Sequence, residues 1–381
     1  MREAMFIVLL GFFVFTSFVE GRGLPPDEDL ELEMQLKKLN KPAIKTVKTK
    51  YGDIYDCVDF YKQPAFDHPL LKNHSFHFDM RLNSPSRRHR DIKNNSSGIK
   101  GVGCPRGSVP IRRTTKEDLI RLRNFTNIHP LNGNTAGLHY AGAYVRPEFV
   151  SGMKMGGAEA YISIEKPPLP DTRVHWFSSG LIKISNGPEF IKAGWMVDPL
   201  VYGDDRPRLF TLWIVPTKGC YDARCPGFVS VNQDLPLGYV FREVSKSGEQ
   251  VTEMRFLIQR ETNSGNWFLS IEEEQVGFWP GILFKELSQS AGDVFFGGEV
   301  FTSPGNRGIP VGNGLIPEKD DPDLYAHHRQ IAVLDDHMNV LVPATESREA
   351  NDIRPGYVRQ ATLDEHWGRT VMYGGPGVEL R

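Results

Sequence analysis

The chain has 381 residues, of which 40% are apolar and 24% charged, as in an ordinary globular protein with a sizeable core. Its formal net charge of -2 excludes a whole-chain field that would attract nucleic acid or an anionic membrane surface. The 37 glycines and 27 prolines favour a loop-rich, β-rich chain over a helical bundle.

The N-terminus has the pattern of a secretory signal peptide. Arg2 precedes an apolar run over residues 4–19, and small residues follow where a signal peptidase would cut. The alternative is a membrane anchor, but the run is shorter than the roughly 20 residues that a spanning helix needs. We expect residues 1–21 to be a signal peptide and the protein to be secreted, with no membrane span.

Two helices and a basic loop are predicted in the N-terminal segment. Apolar residues at helical spacing indicate a helix within residues 28–39, and residues 117–125 predict a second. Residues 81–98 are polar, basic and turn-rich, which is typical of a flexible loop. Its arginines at 87, 88 and 90 form either a processing site for a secretory protease or a solvated basic surface.

The four cysteines suit an oxidising compartment. An even number predicts two bridges, with three pairings open. Cys220 and Cys225 flank a short loop that a bridge could close, which would leave Cys57 with Cys104. Zinc is the alternative, but the spacings fit no usual zinc finger and no histidine lies beside either pair.

N-glycosylation sequons occur in the first third of the chain, which agrees with secretion. Two of them overlap, so we expect only one of that pair to carry a glycan. The acceptor residues are Asn73, Asn94, Asn95 and Asn124.

From about residue 138 onward the sequence is typical of an all-β domain. Short runs of β-branched and aromatic residues alternate with polar ones at roughly ten-residue spacing. Without intervening helices, this pattern predicts an antiparallel sandwich or barrel. Residues 281–290 are the one helical candidate. The predicted strands lie at 139–145, 158–165, 208–215, 237–245, 251–260, 266–273, 293–301 and 328–336.

Most catalytic motifs are absent from the sequence. There is no phosphate loop, dinucleotide fingerprint, HExxH or serine nucleophile elbow, so we expect no metal and no cofactor. His327 and His328 are adjacent, so on a strand their rings would face opposite ways. Glu299 is the remaining candidate, because it follows two glycines inside an apolar strand, where a charge needs a partner or a task.

Eight segments, taken together and in order, resemble the neprosin family, which are plant secreted proteins whose type member is a prolyl endopeptidase of the glutamic class. The resemblance covers nearly the whole chain after the signal. The segments are residues 56–74, 104–113, 193–199, 202–213, 219–228, 265–280, 295–301 and 373–377.

The resemblance implies a small mixed pro-segment over residues 22–130, removed in acid, and an antiparallel β-sandwich over residues 131–381. It places Cys57 and Cys104 in the pro-segment and a Cys220–Cys225 bridge in the sandwich. It also implies an extracellular location, in the apoplast or cell wall.

In active relatives two glutamates face each other in a cleft. One follows the double glycine and corresponds to Glu299; the other precedes Ala-Gly-Trp, where this chain has Lys192. Such an enzyme needs an ionised carboxylate to take a proton from water and an acidic partner to stabilise the oxyanion. Lys192 would instead form a salt bridge with Glu299. Glu189 lies three residues earlier, on the opposite strand face, and Asp198 is too far along the strand to replace the lost acid.

The resemblance and the lysine together predict a catalytically silent family member whose cleft binds a peptide, such as a proline-rich one, or a cell-wall component. The first alternative is an active acid endopeptidase that cuts near proline with Glu299. The second is that Lys192 points outward and another carboxylate completes the site. Val174, Asn313 and Leu315 also stand where relatives show Gln, Ser and His.

The tryptophans have two interpretations: they fill the core, or they stack on proline rings or sugars in a cleft. Trp195 is at odd offset from Lys192 and is expected on the core side of its strand. The residues concerned are Trp176, Trp195, Trp213, Trp267 and Trp279.

Overall fold

The computed structural model describes ten stretches of the chain. The predicted signal peptide and all but one residue of the basic loop lie outside the described residues. No helix within those stretches is long and apolar enough to cross a membrane. The described residues are 26–80, 82, 101–125, 137–169, 174–216, 218–303, 306, 308–341, 348–351 and 357–377.

The N-terminal segment is mixed, as expected. Helix α1 spans Pro26–Leu39, with acidic residues in its first turn and lysines in its last, which suits the helix dipole. Helix α2 spans Lys116–Phe125. A small antiparallel sheet of β1 (Ala43–Lys48), β2 (Ile54–Asp59) and β3 (Ser108–Arg112) completes the segment.

The rest of the described chain is an all-β sandwich of two antiparallel sheets. In spatial order, sheet I contains β17 (Arg348–Asn351), β4 (Leu138–Val145), β14 (Asp293–Thr302), β6 (Trp176–Asn186), β7 (Glu189–Val197), β8 (Arg208–Val215) and β9 (Lys218–Tyr221).

Sheet II packs against one face of sheet I. In spatial order it contains β10 (Val229–Ser230), β13 (Glu274–Trp279), β12 (Trp267–Ile271), β11 (Glu253–Arg260), β5 (Gly157–Ser163), β15 (Ala326–Leu334), β19 (Arg369–Tyr373) and β18 (Val358–Thr362), with β16 (Val340–Leu341) beside β15.

The main core lies between the two sheets. Every second residue of the inner strands points into it, as the period-two alternation predicts. The five tryptophans named above belong to this cluster and are at most 7% exposed, so the core interpretation is confirmed for them.

Two expected elements are wrong. Residues 237–245 form no strand: Leu237 and Tyr239 are buried, but the segment makes only a short bridge to the start of β8, so the alternation reflects core packing alone. Residues 281–290 form a single 3-10 turn at Gly281–Leu283 instead of a helix. The Glu189 carboxylate accepts hydrogen bonds from the backbone N–H groups of residues 285, 286 and 287, which holds this segment outside a helical ladder.

The N-terminal segment is joined to the sandwich by buried polar contacts. Gln63, 1% exposed, donates to the carbonyl of Ser230 and accepts from its N–H at 3.1 and 2.9 Å. Asp53 forms ion pairs with Arg112 of its own segment and Arg208 of β8, both at 3.0 Å. The segment therefore folds against the sandwich as part of one packed molecule.

Candidate functional site

The outer face of sheet I carries a row of three glycines and one leucine. Gly142, Gly297, Leu181 and Gly194 are cross-strand neighbours on β4, β14, β6 and β7. A Cβ on Gly194 would lie 2.0 Å from the carbonyl oxygen of Gly180, so packing requires glycine there. All four residues of the row are buried, three of them are glycines, and we call it the glycine row.

Lys192 and Glu299 stand on opposite sides of the glycine row. Lys192 is two residues before Gly194 on β7, and Glu299 is two residues after Gly297 on β14, so both point to the outer face. The Lys192 Nζ lies 2.6 Å from Glu299 Oε1 and 2.7 Å from Oε2. The salt bridge expected from the sequence therefore forms, and it spans the row.

This ion pair is buried. Each side chain is 3% exposed, and one ammonium donates to both carboxylate oxygens. The rings of Phe190 and Tyr140 flank the ammonium, with centroids 5.1 and 5.6 Å from Nζ. The rings add a cation–π contribution and exclude water, so each charge depends on the other for compensation.

A second lysine, which the sequence analysis missed, lies beside the first. Lys183 on β6 is the direct cross-strand partner of Lys192, and its Nζ lies 4.8 and 5.4 Å from the centroids of the same Phe190 and Tyr140 rings. Burial and the charge of Lys192 lower its pKa to about 8, although Glu299 and Asp293 oppose the shift.

Lys183 stands out because its charge has no close counter-ion. Within the described parts of the chain it forms neither a hydrogen bond nor an ion pair with a carboxylate. A charge inside the apolar strand "LIKIS" is the signal that could have identified it, since the same reasoning singled out Glu299.

The other nearby carboxylates have other partners. Glu189 holds the segment after β13, as described above. Asp198 accepts from the N–H groups of Leu200 and Val201 at the start of α3 (Pro199–Tyr202), and Asp293 accepts from the Ser185 hydroxyl at 2.9 Å. Among the described residues, no carboxylate contacts Glu299.

Tyr221 is the other candidate proton donor near Glu299. Burial raises its pKa well above the usual value, and the charges of Glu299 and Asp198 act in the same direction. Such a phenol holds its proton more tightly than a carboxylic acid does.

The glycines before Glu299 serve packing. A Cβ on Gly298 would lie 2.6 Å from the Tyr373 ring, and one on Gly297 would lie 2.3 Å from the carbonyl oxygen of Ala141. The close approach expected at these glycines is therefore made by a core ring and by the neighbouring strand.

The remaining predicted residues are distributed as follows. The structure has both bridges, Cys57–Cys104 and Cys220–Cys225. Asn73 is exposed, Asn124 is the second-last residue of α2, and Asn94 and Asn95 lie outside the described residues.

Comparison with protein families gives two matches. The family described as Neprosin matches residues 175–376, which include Lys192, Lys183 and Glu299. The family described as Neprosin activation peptide matches residues 46–142.

Among solved structures, the chain is similar to Scytalido-glutamic peptidase with a peptide-based transition-state analogue: 10% identity, 62% of this chain and 98% of that chain, TM-score 0.34. It is also similar to SCP-B, an Eqolisin-family peptidase in complex with the tripeptide Ala-Ile-His. The identity is 10%, the match covers 62% of this chain and 97% of that chain, and the TM-score is 0.32. The match to chicken galectin 2 has 5% identity, covers 44% of this chain and 92% of that chain, and has a TM-score of 0.22. Likenesses of this size carry no information about the chemistry of the site.

Proposed function

Because this peptidase-like chain belongs to the neprosin family, we propose that it is a secreted, catalytically impaired glutamic-peptidase homologue that binds a peptide without cutting it. The observation that carries the proposal is the Lys192–Glu299 pair, with Nζ 2.6 and 2.7 Å from the two carboxylate oxygens. The protein would act by holding its ligand.

Lys192 takes the place of the acid that hydrolysis would need. Hydrolysis by paired acids requires one carboxylate to accept a proton from water and one carboxylic acid to donate to the oxyanion or the leaving amine. Lys192 occupies the position that the family resemblance gives to the second acid. Both oxygens of Glu299 are engaged by its ammonium, so the base is occupied and the acid is missing.

The ion pair also occupies the space in which a substrate would react. A scissile carbonyl and an attacking water would have to lie between the two catalytic groups, about 3 Å from each. Here those groups are in direct hydrogen-bond contact across the glycine row. The reacting atoms have no space unless the ion pair breaks, and breaking a buried pair costs several kcal/mol.

Peptide binding is supported by the outer face around the pair. Tyr140, Tyr144 and Phe190 are only partly buried and pack beside the buried outer-face cluster that includes Phe295 and Phe301. Partly exposed aromatic surface suits an extended chain with apolar or proline side chains.

Secretion rests on the sequence and on two bridges of the kind that persist in oxidising compartments. Expression with the native leader should release the protein into the medium with its N-terminus near residue 22. A mature protein that begins at Met1 and stays in the cell would contradict this part of the proposal.

The catalytic part is tested with Lys192→Glu, which places a second carboxylate beside Glu299. After acidification, we expect this variant to cleave proline-containing peptides, whereas wild type and Lys192→Gln bind the same peptides intact. Lys192→Gln is the matched control, because it removes the ammonium without supplying an acid. Wild-type cleavage that disappears in Glu299→Gln would contradict the proposal, whether or not Lys192→Glu folds, and so would failure of the wild type to bind any of the peptides.

A further inference from the structure

Resting on the proposed function, we propose that Lys183 makes the site selective for peptides with a carboxylate side chain, Asp or Glu, seated between the Phe190 and Tyr140 rings. The Lys183 ammonium would donate to this carboxylate as Lys192 donates to Glu299. Lys183 would then recognise acidic peptides, a role that catalysis by paired acids does not give it.

The charges at the site do not balance. Two ammonium groups, Lys183 and Lys192, lie over the same two rings, and Glu299 neutralises only one of them. Asp293 is the other carboxylate that acts on Lys183, but it is not within ion-pair distance and it accepts a hydrogen bond from Ser185. One positive charge therefore remains over the face.

Keeping this charge is unfavourable for the free protein. Lys183 lies directly opposite another lysine in the β6–β7 register, inside a strand that is otherwise mostly buried, and like charges directly opposite each other destabilise a sheet. An unfavourable polar group in an otherwise well-packed element is the pattern expected of a functional residue. The lowered pKa of Lys183 agrees with this strain.

The position is also accessible. Lys192 and Glu299 are buried, whereas Lys183, Phe190 and Tyr140 keep partial exposure. A ligand carboxylate can therefore reach Lys183 without disturbing the ion pair beneath, and the rings cover the pair from the side. A carboxylate there would meet an ammonium that is already desolvated, which makes the contact stronger than on an open surface.

A peptide is favoured over an acidic polysaccharide because of the surrounding residues. The partly exposed Tyr144 ring, which packs 5.0 Å from the buried Phe295 ring, continues the apolar surface in the same cross-strand row as Lys183. An extended peptide can place a carboxylate on Lys183 and an apolar side chain on the Tyr144 ring. A uronic acid polymer would put a charge against this ring.

The test uses a fluorescein-labelled peptide that alternates proline and glutamate, an isosteric peptide with glutamine for glutamate, and an oligogalacturonate. Binding to the full-length protein is measured by anisotropy at pH 6. We expect the glutamate peptide to bind at least about tenfold more tightly than the glutamine peptide. Lys183→Gln should abolish this preference for the glutamate peptide, and Lys183→Arg should keep most of it. Lys285→Gln, whose side chain is 88% exposed, is the matched control and should behave as wild type.

A second measurement gives a readout that a purely structural role would not change. The glutamate preference should decline as the pH rises through about 8, where Lys183 loses its proton. The charged groups that act on Lys183 are Lys192, Glu299 and Asp293. A preference that survives in Lys183→Gln, or tighter Lys183-dependent binding of the oligogalacturonate, would overturn the inference. Equal binding of both peptides without cleavage would overturn it and leave the proposed function standing. Cleavage by the wild type would overturn the proposed function, and the preference would then be measured on Glu299→Gln.

Discussion

Lys192 and Glu299 are on strands that do not pair with each other: β6 runs between β7 and β14, yet the Lys192 Nζ lies 2.6 Å from Glu299 Oε1. The contact crosses β6 at the level of Leu181, whose neighbours in the row, on β7 and β14, are the glycines Gly194 and Gly297. The Lys192 and Glu299 side chains extend over the glycine row from opposite sides and form hydrogen bonds with each other. The ion pair is thus a product of the sheet register together with the glycines.

The first prediction concerns the energy of this pair. Lys192→Met removes the hydrogen-bonded counter-ion of the buried Glu299 carboxylate, and Glu299→Gln removes that of the Lys192 ammonium, so each should cost about 3–5 kcal/mol in free energy of unfolding. The double variant should lose much less than the sum. Urea denaturation of the four proteins at pH 7 measures the coupling.

The exposed pair Lys285–Glu286, at 3.1 Å, is the control for that cycle, with side chains 88% and 50% exposed. Its coupling should be no more than about 1 kcal/mol, because solvent screens exposed pairs. Additive effects at Lys192 and Glu299 would show that the two charges do not depend on each other.

The second prediction concerns Lys183, whose pKa is lowered to about 8 by burial and by Lys192. Between pH 8 and 10.5 the folded state binds fewer protons at Lys183 than the unfolded state does, so stability rises with pH across this window. At pH 7 the charge costs stability, and Lys183→Met should melt at a higher temperature than wild type.

The gain from Lys183→Met should shrink as the pH rises from 8 towards 10.5, because wild-type Lys183 then also becomes neutral. A lower melting temperature for Lys183→Met at pH 7 would mean that the ammonium stabilises the fold, contrary to the account of the site.

The third prediction concerns acid stability. Burial raises the pKa of Glu253, but the neighbouring His327 imidazole and the Arg329 guanidinium, which donates to both carboxylate oxygens, outweigh burial and lower the pKa to about 2. A lowered carboxylate pKa stabilises the fold above the unfolded value of about 4.5, and this stabilisation is lost as the pH falls towards 2.

Glu253→Gln should therefore lose about 3 kcal/mol at pH 7, and its difference from wild type should vanish between pH 4.5 and 2. The exposed Glu273, whose side chain is 74% exposed, is the control: its glutamine variant should change stability by less than about 0.5 kcal/mol. A Glu253 effect that does not depend on pH would point to lost packing.

The fourth prediction concerns Glu165, a carboxylate whose pKa is raised in the fold and not lowered. Burial raises the pKa of Glu165, although Ser163, Ser245 and His327 partly oppose the shift. A raised carboxylate pKa means that ionisation costs the folded state more than the unfolded one, so this contribution is lost as the pH rises. Glu165→Gln should melt higher than wild type at pH 7 and equally below about pH 4, and calorimetry across that range measures both.

Much of the fold could be predicted from local patterns. The alternation in residues 253–260 and 293–301 reflects a real ladder, and the offset between Lys192 and Trp195 correctly placed them on opposite faces of β7. The strand predicted at residues 237–245 does not form, because alternating burial also occurs where a chain packs on a core without pairing with another strand. The helix predicted at residues 281–290 does not form, because the side chain of Glu189, distant in sequence, accepts hydrogen bonds from backbone amides that a helix would use.

The site was predictable only where the family resemblance reached. Lys192 and Glu299 were identified as a pair because relatives place two acids there; their contact depends on the sheet order, which no local pattern contains. Lys183 was missed because the resemblance assigns no role to its position, and its importance appears only when the β6–β7 register sets it against Lys192.

The most direct test of the central claim is peptide hydrolysis by the acidified wild-type protein, followed by mass spectrometry beside Glu299→Gln. Wild type should release no more product from proline-containing peptides than Glu299→Gln does. Products formed by wild type and absent with Glu299→Gln would show that Glu299 works as a catalytic base despite Lys192, and would contradict the central claim.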